Sequence, residues 1–177
     1  MNIFAYSADE VMKMAVRIEK RAADFYSEAA EKARQPGMSK LFGSLSSMET
    51  THARIFGEME EHMSEKERST QLYDPGNEML YFLHDMAGMR AWEGKAGPDK
   101  PLSGDEDAEE VISIALRAER EGINFYTFLK DYVPEKSGKE RVETIIHEEM
   151  RHVAALNRYL AWLQSGAEGP PPPPTLR

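Results

Sequence analysis

The chain has 177 residues, no cysteine and a formal net charge of −9. This length allows one domain with a hydrophobic core, and the lack of cysteine excludes disulfides, zinc ribbons and other thiolate metal sites. The acidic balance without a basic patch argues against a nucleic-acid partner. No apolar run is long enough to span a membrane and no secretory signal is visible, so we expect a cytoplasmic protein.

Two helices are predicted in the first third of the chain. The first begins near a cap at Ser7 or Asp9 and ends near residue 33, and the second extends from about residue 38 to residue 64. A proline and a glycine at positions 36 and 37 break the chain between them. Because this connection is short, we expect the two helices to be antiparallel neighbours.

These two helices carry the first copy of a carboxylate–histidine motif. Glu49 and His52 form a Glu-x-x-His sequence in the second helix, and Glu19 precedes Glu49 by 30 residues in the first. Residues three apart lie on one helix face, so Glu49 and His52 point at the same place. Both are in line with apolar residues such as Leu45 and Phe56, and a charge on an apolar stripe needs a partner.

Residues 65–105 do not belong to the repeat. A polar, proline-broken stretch is followed by a short predicted helix around His84, which we interpret as a structural histidine, and then by a loop ending at a cap on Ser103 or Asp105. A connection of this length can return along the bundle. It would make the second and third helices parallel, as in ferritin-like folds with one long crossover.

The second half of the chain repeats the first. A third helix is predicted over about 105–132 and a fourth over about 135–164, with Glu119 in the third and Glu149-x-x-His152 in the fourth, each 100 positions after its counterpart. The chain is therefore predicted to be an all-α, ferritin-like four-helix bundle over residues 1–165, built by duplication of a helical hairpin. Residues 166–177 form a separate tail, whose five prolines favour an extended polyproline II rod.

The repeated glutamates and histidines predict a site for two divalent cations. Four carboxylates and two imidazoles on inward helix faces are the ligand set of di-iron and di-manganese carboxylate bundles, and two M²⁺ ions would cancel four carboxylate charges. The alternative is four solvated glutamates and two surface histidines. The six predicted metal ligands are Glu19, Glu49, His52, Glu119, Glu149 and His152.

Other polar residues lie close to these motifs in the sequence. Tyr26 and Tyr126 follow Glu19 and Glu119 by two helical turns, where they could hydrogen-bond a ligating carboxylate, relay protons or radicals, or serve as core tyrosines. His147 and Glu148 adjoin the second Glu-x-x-His motif, and we consider both as residues that could support the ligands from outside.

At these residues the chain resembles the rubrerythrin family of the ferritin-like superfamily, over about residues 8–163. The resemblance implies a non-haem di-iron site that reduces hydrogen peroxide or dioxygen, in an oligomer of two or more chains. It also implies that Glu49 and Glu149 bridge the metals. The terminal ligands would be Glu19, Glu119 and one histidine for each metal.

The sequence departs from the family pattern in two respects. No cysteine is present to form a rubredoxin-type electron-transfer site, so a separate donor would have to supply electrons. The additional glutamate that rubrerythrins carry three residues after the third-helix ligand is replaced here by Gly122. The remaining six ligands resemble those of simpler ferritin-like and bacterioferritin-like sites.

Four functions remain open at this point. The first is a di-iron peroxidase or oxidase, with a role in oxidative stress. The second is a ferroxidase that handles iron, and the third is a di-manganese or mixed-metal protein with catalase-like activity. In the fourth, the metal only stabilises a non-catalytic bundle.

Overall fold

The structure, a computed structural model, describes residues 7–68, 102, 106–133, 137–167 and 171–173. Four long helices dominate this part of the chain and confirm the predicted all-α four-helix bundle. A one-turn helix, not predicted, follows the second of them. The helices are α1 (Ala8–Lys32), α2 (Pro36–Glu61), α3 (Glu65–Arg68), α4 (Ala108–Tyr132) and α5 (Lys139–Gln164).

The first helix of each hairpin begins with the same reciprocal cap. Ser7 Oγ accepts a hydrogen bond from the Glu10 backbone N–H at 3.2 Å, and the Glu10 carboxylate accepts from the Ser7 N–H at 2.8 Å. Asp107 and Glu110 do the same for α4, at 2.9 and 3.0 Å. The predicted cap on Ser103 or Asp105 is therefore wrong. Asp107 has a glutamate three residues later, and the two together satisfy two backbone donors at the helix start.

The second helix of each hairpin is shorter than predicted. Helix α2 ends at Glu61, three residues before the predicted end, and α5 begins at Lys139, four residues after the predicted start. The residue before α5, Gly138, has a φ of 107°, a left-handed conformation that glycine adopts without steric cost. This turn fixes where the last helix can begin.

The helices pack mainly within their hairpins, α1 along α2 and α4 along α5, while α1 also meets α4 and α2 meets α5. Two apolar clusters fill the two ends of the bundle. One cluster combines the start of α1 with the ends of α2 and α4 and the start of α5. Because α2 and α4 finish at the same end, they are parallel, as predicted.

Most of the predicted crossover, including His84, lies outside the described residues. Of the proline-rich tail, residues 171–173 are described. Pro171 lies against Gly37 at the start of α2, where a side-chain Cβ would collide with the proline ring. The hydroxyl of Tyr159 would be 3.2 Å from a Cβ atom at Gly37. The tail thus contacts the bundle at this glycine, while the domain boundary itself stays a prediction.

The hydropathy of the helices bears on membrane association. Within the described ranges, every helix is either too short or too polar to cross a bilayer.

Substituting Gly37 tests the contact between the tail and the bundle. We expect Gly37→Ala to destabilise the full chain, because its methyl group displaces Pro171. In a chain that stops after Gly166 the same substitution should be neutral or stabilising, since alanine favours a helix. Gly43→Ala, in the same helix with nothing within 4 Å of its Cβ, should stabilise both chains equally, by about 0.5–1 kcal/mol.

Urea denaturation of the four variants measures these differences. If Gly37→Ala had the same effect with and without residues 167–177, the tail contact would not contribute to stability.

Candidate metal centre

A layer of ionisable side chains separates the two apolar clusters at the middle of the bundle. None of its six members is more than 5% exposed. They are the residues that the repeated motif singles out: Glu19, Glu49, His52, Glu119, Glu149 and His152. The structure therefore brings all six together in the core, and the alternative of solvated side chains is wrong.

The six residues form two overlapping groups. In each group the four ligand atoms lie within 4.8 Å of one another. Two glutamates, Glu49 from α2 and Glu149 from α5, belong to both groups. The first group is completed by Glu19 and His52, and the second by Glu119 and His152. Two ions placed in these groups would share two carboxylates and have one terminal carboxylate and one imidazole each.

The δ-nitrogen of each histidine faces more oxygens than one proton can satisfy. His52 Nδ1 is 3.0 Å from Glu49 Oε2, 2.9 Å from Glu149 Oε1 and 3.7 Å from Glu19 Oε2. Its hydrogen bond goes to Glu49, which leaves Glu149 Oε1 without a hydrogen bond to any described residue. A cation between nitrogen and oxygens would bind all of them at once.

The second group repeats this arrangement. His152 Nδ1 is 3.0 Å from both Glu149 Oε2 and Glu49 Oε1, and 3.5 Å from Glu119 Oε2. Within the described residues, Glu49 Oε1 and Glu19 Oε1 also lack hydrogen-bond partners. Buried carboxylate oxygens without donors are costly, so the donor set of this chain fits metal ions.

The electrostatics of the cluster show how it holds charge without metal. Burial, followed by the charge of Glu149, raises the pKa of Glu119 to about 8. Burial also raises the pKa of Glu19 well above its ordinary value, helped by the charges of Glu49 and Glu149.

The pKa values of the two shared carboxylates are lowered, whereas those of the two histidines are raised like those of Glu19 and Glu119. Burial and the charge of Glu119 act to raise the pKa of Glu49, but hydrogen bonds from His152 and His52 outweigh them and lower it. Burial acts to lower the pKa of His52, and its bonds to the carboxylates outweigh burial and raise it. Protonated imidazoles thus supply the positive charge between the carboxylates, at the positions where metal ligands are needed.

The two tyrosines contact the cluster across the interface between hairpins. Tyr26 of α1 donates a hydrogen bond to Glu119 Oε1 of α4, not to Glu19 of its own helix. Tyr126 faces Glu19, whose charge contributes to raising the pKa of the phenol after burial. Its hydroxyl makes no hydrogen bond of standard geometry within the described part of the chain.

The two neighbours of Glu149 that we considered as supports behave differently. Glu148 reaches from α5 to α2, and its Oε2 accepts a hydrogen bond from His52 Nε2 at 2.8 Å. His147 is exposed at the surface of α5.

A small cavity reaches the cluster from the side, between α1 and α4. Its volume is about 30 Å³, and it touches Glu19, Glu119 and both shared glutamates. Three small residues line it, Ala22, Ala118 and Gly122. The contribution of Ala118 was not predicted, although the sequence places the two small residues Ala118 and Gly122 one helical turn apart on either side of Glu119.

The chain matches the sequence model of the rubrerythrin family over residues 10–90, which include the first hairpin. No curated protein matches it. A crystal structure from Thermotoga maritima, described as a ferritin-like di-iron carboxylate protein, shares its fold with a TM-score of 0.67 and 22% identity, covering 89% of this chain and 96% of the other. The family match covers the first copy of the motif, Glu19, Glu49 and His52, and the shared fold agrees with the predicted four-helix bundle.

The raised pKa values predict that metal binding releases protons. Below about pH 8 Glu119 is protonated, and the histidines also hold protons that a metal must displace. Apparent affinity for Co²⁺ should therefore fall as the pH is lowered from 8 to 6, by about tenfold per pH unit for each proton released.

Calorimetry in two buffers of different ionisation enthalpy counts the protons directly. An affinity that does not change with pH, with no proton release, would show that the cluster is already deprotonated and would contradict this electrostatic account.

Proposed function

We propose that this rubrerythrin-like chain is a non-haem di-iron oxidoreductase that reduces hydrogen peroxide or dioxygen. The observation that carries the proposal is the pair of overlapping ligand groups with two shared carboxylates. Imidazole and carboxylate together favour iron or manganese over calcium and magnesium, which prefer oxygen ligands alone. We assign two iron ions to the site. The description of the Thermotoga maritima protein as a di-iron carboxylate protein supports this choice.

In this proposal each residue has a defined task. Two ions bound there would share Glu49 and Glu149, while Glu19 with His52 and Glu119 with His152 would complete the two ligand sets. Two ferrous ions bound there would supply one electron each, so that one peroxide and two protons give two waters. Tyr26, whose hydroxyl is directed at Glu119, holds a proton next to the reacting centre.

The cavity between α1 and α4 supports a small oxidant as substrate. With a volume of about 30 Å³, it has room for only one or two molecules the size of water. Hydrogen peroxide and dioxygen are small enough to enter, whereas an organic hydroperoxide with an aromatic or long alkyl group is too large. Gly122 keeps this approach open, since a side chain at that position would project towards Tyr126.

The composition of the chain bears on how electrons reach the site. With no cysteine among its 177 residues, the chain has no iron–thiolate centre of its own, so electrons come from a separate donor. We further propose a cytoplasmic homo-oligomer of two or more chains that removes peroxide under oxidative stress.

Mixing the di-ferrous protein with peroxide in the absence of oxygen tests the reaction. We expect fast formation of ferric absorbance, with one peroxide consumed per pair of iron ions. Glu49→Gln should abolish it because it removes a shared ligand, while the exposed control Glu31→Gln should react as the parent does.

Slow or absent ferric absorbance in a protein that holds two iron ions would contradict the peroxidase proposal. Iron uptake well beyond two ions per chain would favour iron handling instead.

Filling the cavity tests the substrate class. Gly122→Leu should occupy the cavity and slow the reaction with hydrogen peroxide by about tenfold or more, equivalent to at least about 1.4 kcal/mol of barrier. Gly122→Ala should have little effect, since the nearest side-chain atom to its Cβ is Tyr126 Cε2 at 3.6 Å.

Stopped-flow absorbance with hydrogen peroxide and with cumene hydroperoxide provides the comparison, at equal iron content. Equal rates for both oxidants would show that they do not enter through this cavity.

A further inference from the structure

The outer nitrogens of the two cluster histidines have different surroundings. His52 Nε2 is 2.8 Å from the Glu148 carboxylate, which comes from the opposite hairpin. His152 Nε2 is buried and has no hydrogen-bond partner within the described ranges. If the duplication were exact, the first half would also carry a glutamate 100 positions before Glu148, next to His152. That position is Met48.

This difference affects how each imidazole can bind a metal. A histidine that binds a metal through Nδ1 carries its proton on Nε2, and a carboxylate accepting that proton fixes the tautomer, holds the ring in place and makes the ligand nitrogen more basic. Glu148 is placed to do this for His52. Methionine sulfur is only a weak acceptor without charge, so Met48 cannot do the same for His152.

A second, independent asymmetry acts in the same direction. On the Glu119 side, one carboxylate oxygen already accepts the Tyr26 hydroxyl. On the Glu19 side, Tyr126 faces the carboxylate without a hydrogen bond of standard geometry, and Glu19 Oε1 has no hydrogen-bond partner among the described residues. Glu19 therefore has more carboxylate oxygen lone pairs free to bind a cation than Glu119 has.

We propose that Glu148 is a positioning residue that makes the two metal positions unequal. The position formed by Glu19, Glu49, Glu149 and His52 then binds its ion first and more tightly, and the position with Glu119 and His152 binds second. This inference rests on the metal ligands of the proposed function, but not on the peroxide reaction.

Titration of the metal-depleted full chain with Co²⁺ tests whether the two metal positions differ in affinity. Binding is measured by calorimetry and by the visible absorption bands of the ion. The parent should bind two ions in two steps that differ at least tenfold in affinity. Outer carboxylates that hold a ligating histidine typically contribute 10- to 100-fold to metal affinity. Glu148→Gln should therefore weaken the first step by about that factor and leave the second unchanged.

The duplication provides a gain-of-affinity test that misfolding cannot imitate. Met48→Glu gives the second half the carboxylate it lacks, and it should strengthen the second step so that the two steps approach each other. Glu143→Gln, an exposed change on the same helix as Glu148, should leave both steps as in the parent.

Two equal steps in the parent, or equal weakening of both by Glu148→Gln, would overturn this inference alone. Failure to bind Co²⁺ at all would overturn both this inference and the proposed metal site. A second step that Met48→Glu leaves unchanged would also contradict it.

Discussion

The burial of four carboxylates in the interior of a small bundle is the main physical constraint on this structure. Ionised carboxylates this close repel one another, and removing them from water is costly. Without metal the cluster balances the charge with protons on His52, His152 and the outer glutamates, whose pKa values are raised. Two divalent ions would balance the same charge and also satisfy the oxygens that lack donors. The site is thus arranged for cations, at the expense of the stability of the metal-free protein.

The surrounding structure holds this charged layer in place. Apolar clusters on both sides exclude water from it, and each pair of helices contributes one half of the ligand set at the same depth. Between α1 and α4, the small residues Ala22, Ala118 and Gly122 interrupt this packing. The cavity between α1 and α4 gives a reactant a route to the cluster. The same small residues therefore determine both the packing of these helices and the access to the site.

Much of this arrangement could be predicted because helix geometry is local. The spacing of Glu49 and His52 places both on one face, and the matching distances of Glu19 and Glu49 from their turn place them level. Helix starts were less predictable, since several polar residues could cap α4 and only the reciprocal bonding of Asp107 with Glu110 decides between them. Contacts between the hairpins, such as Tyr26 with Glu119 and Glu148 with His52, depend on how two helices are rotated against each other. The periodicity of a single helix does not show how that helix is rotated against its neighbour.

The arrangement of the six buried side chains predicts that they bind two metal ions through two shared glutamates. The most direct measurement is anomalous diffraction at the iron edge from crystals of the iron-loaded chain. We expect two iron peaks per chain, both adjacent to Glu49 and Glu149, with one histidine Nδ1 at each. A single peak, or iron bound only outside this cluster, would contradict it.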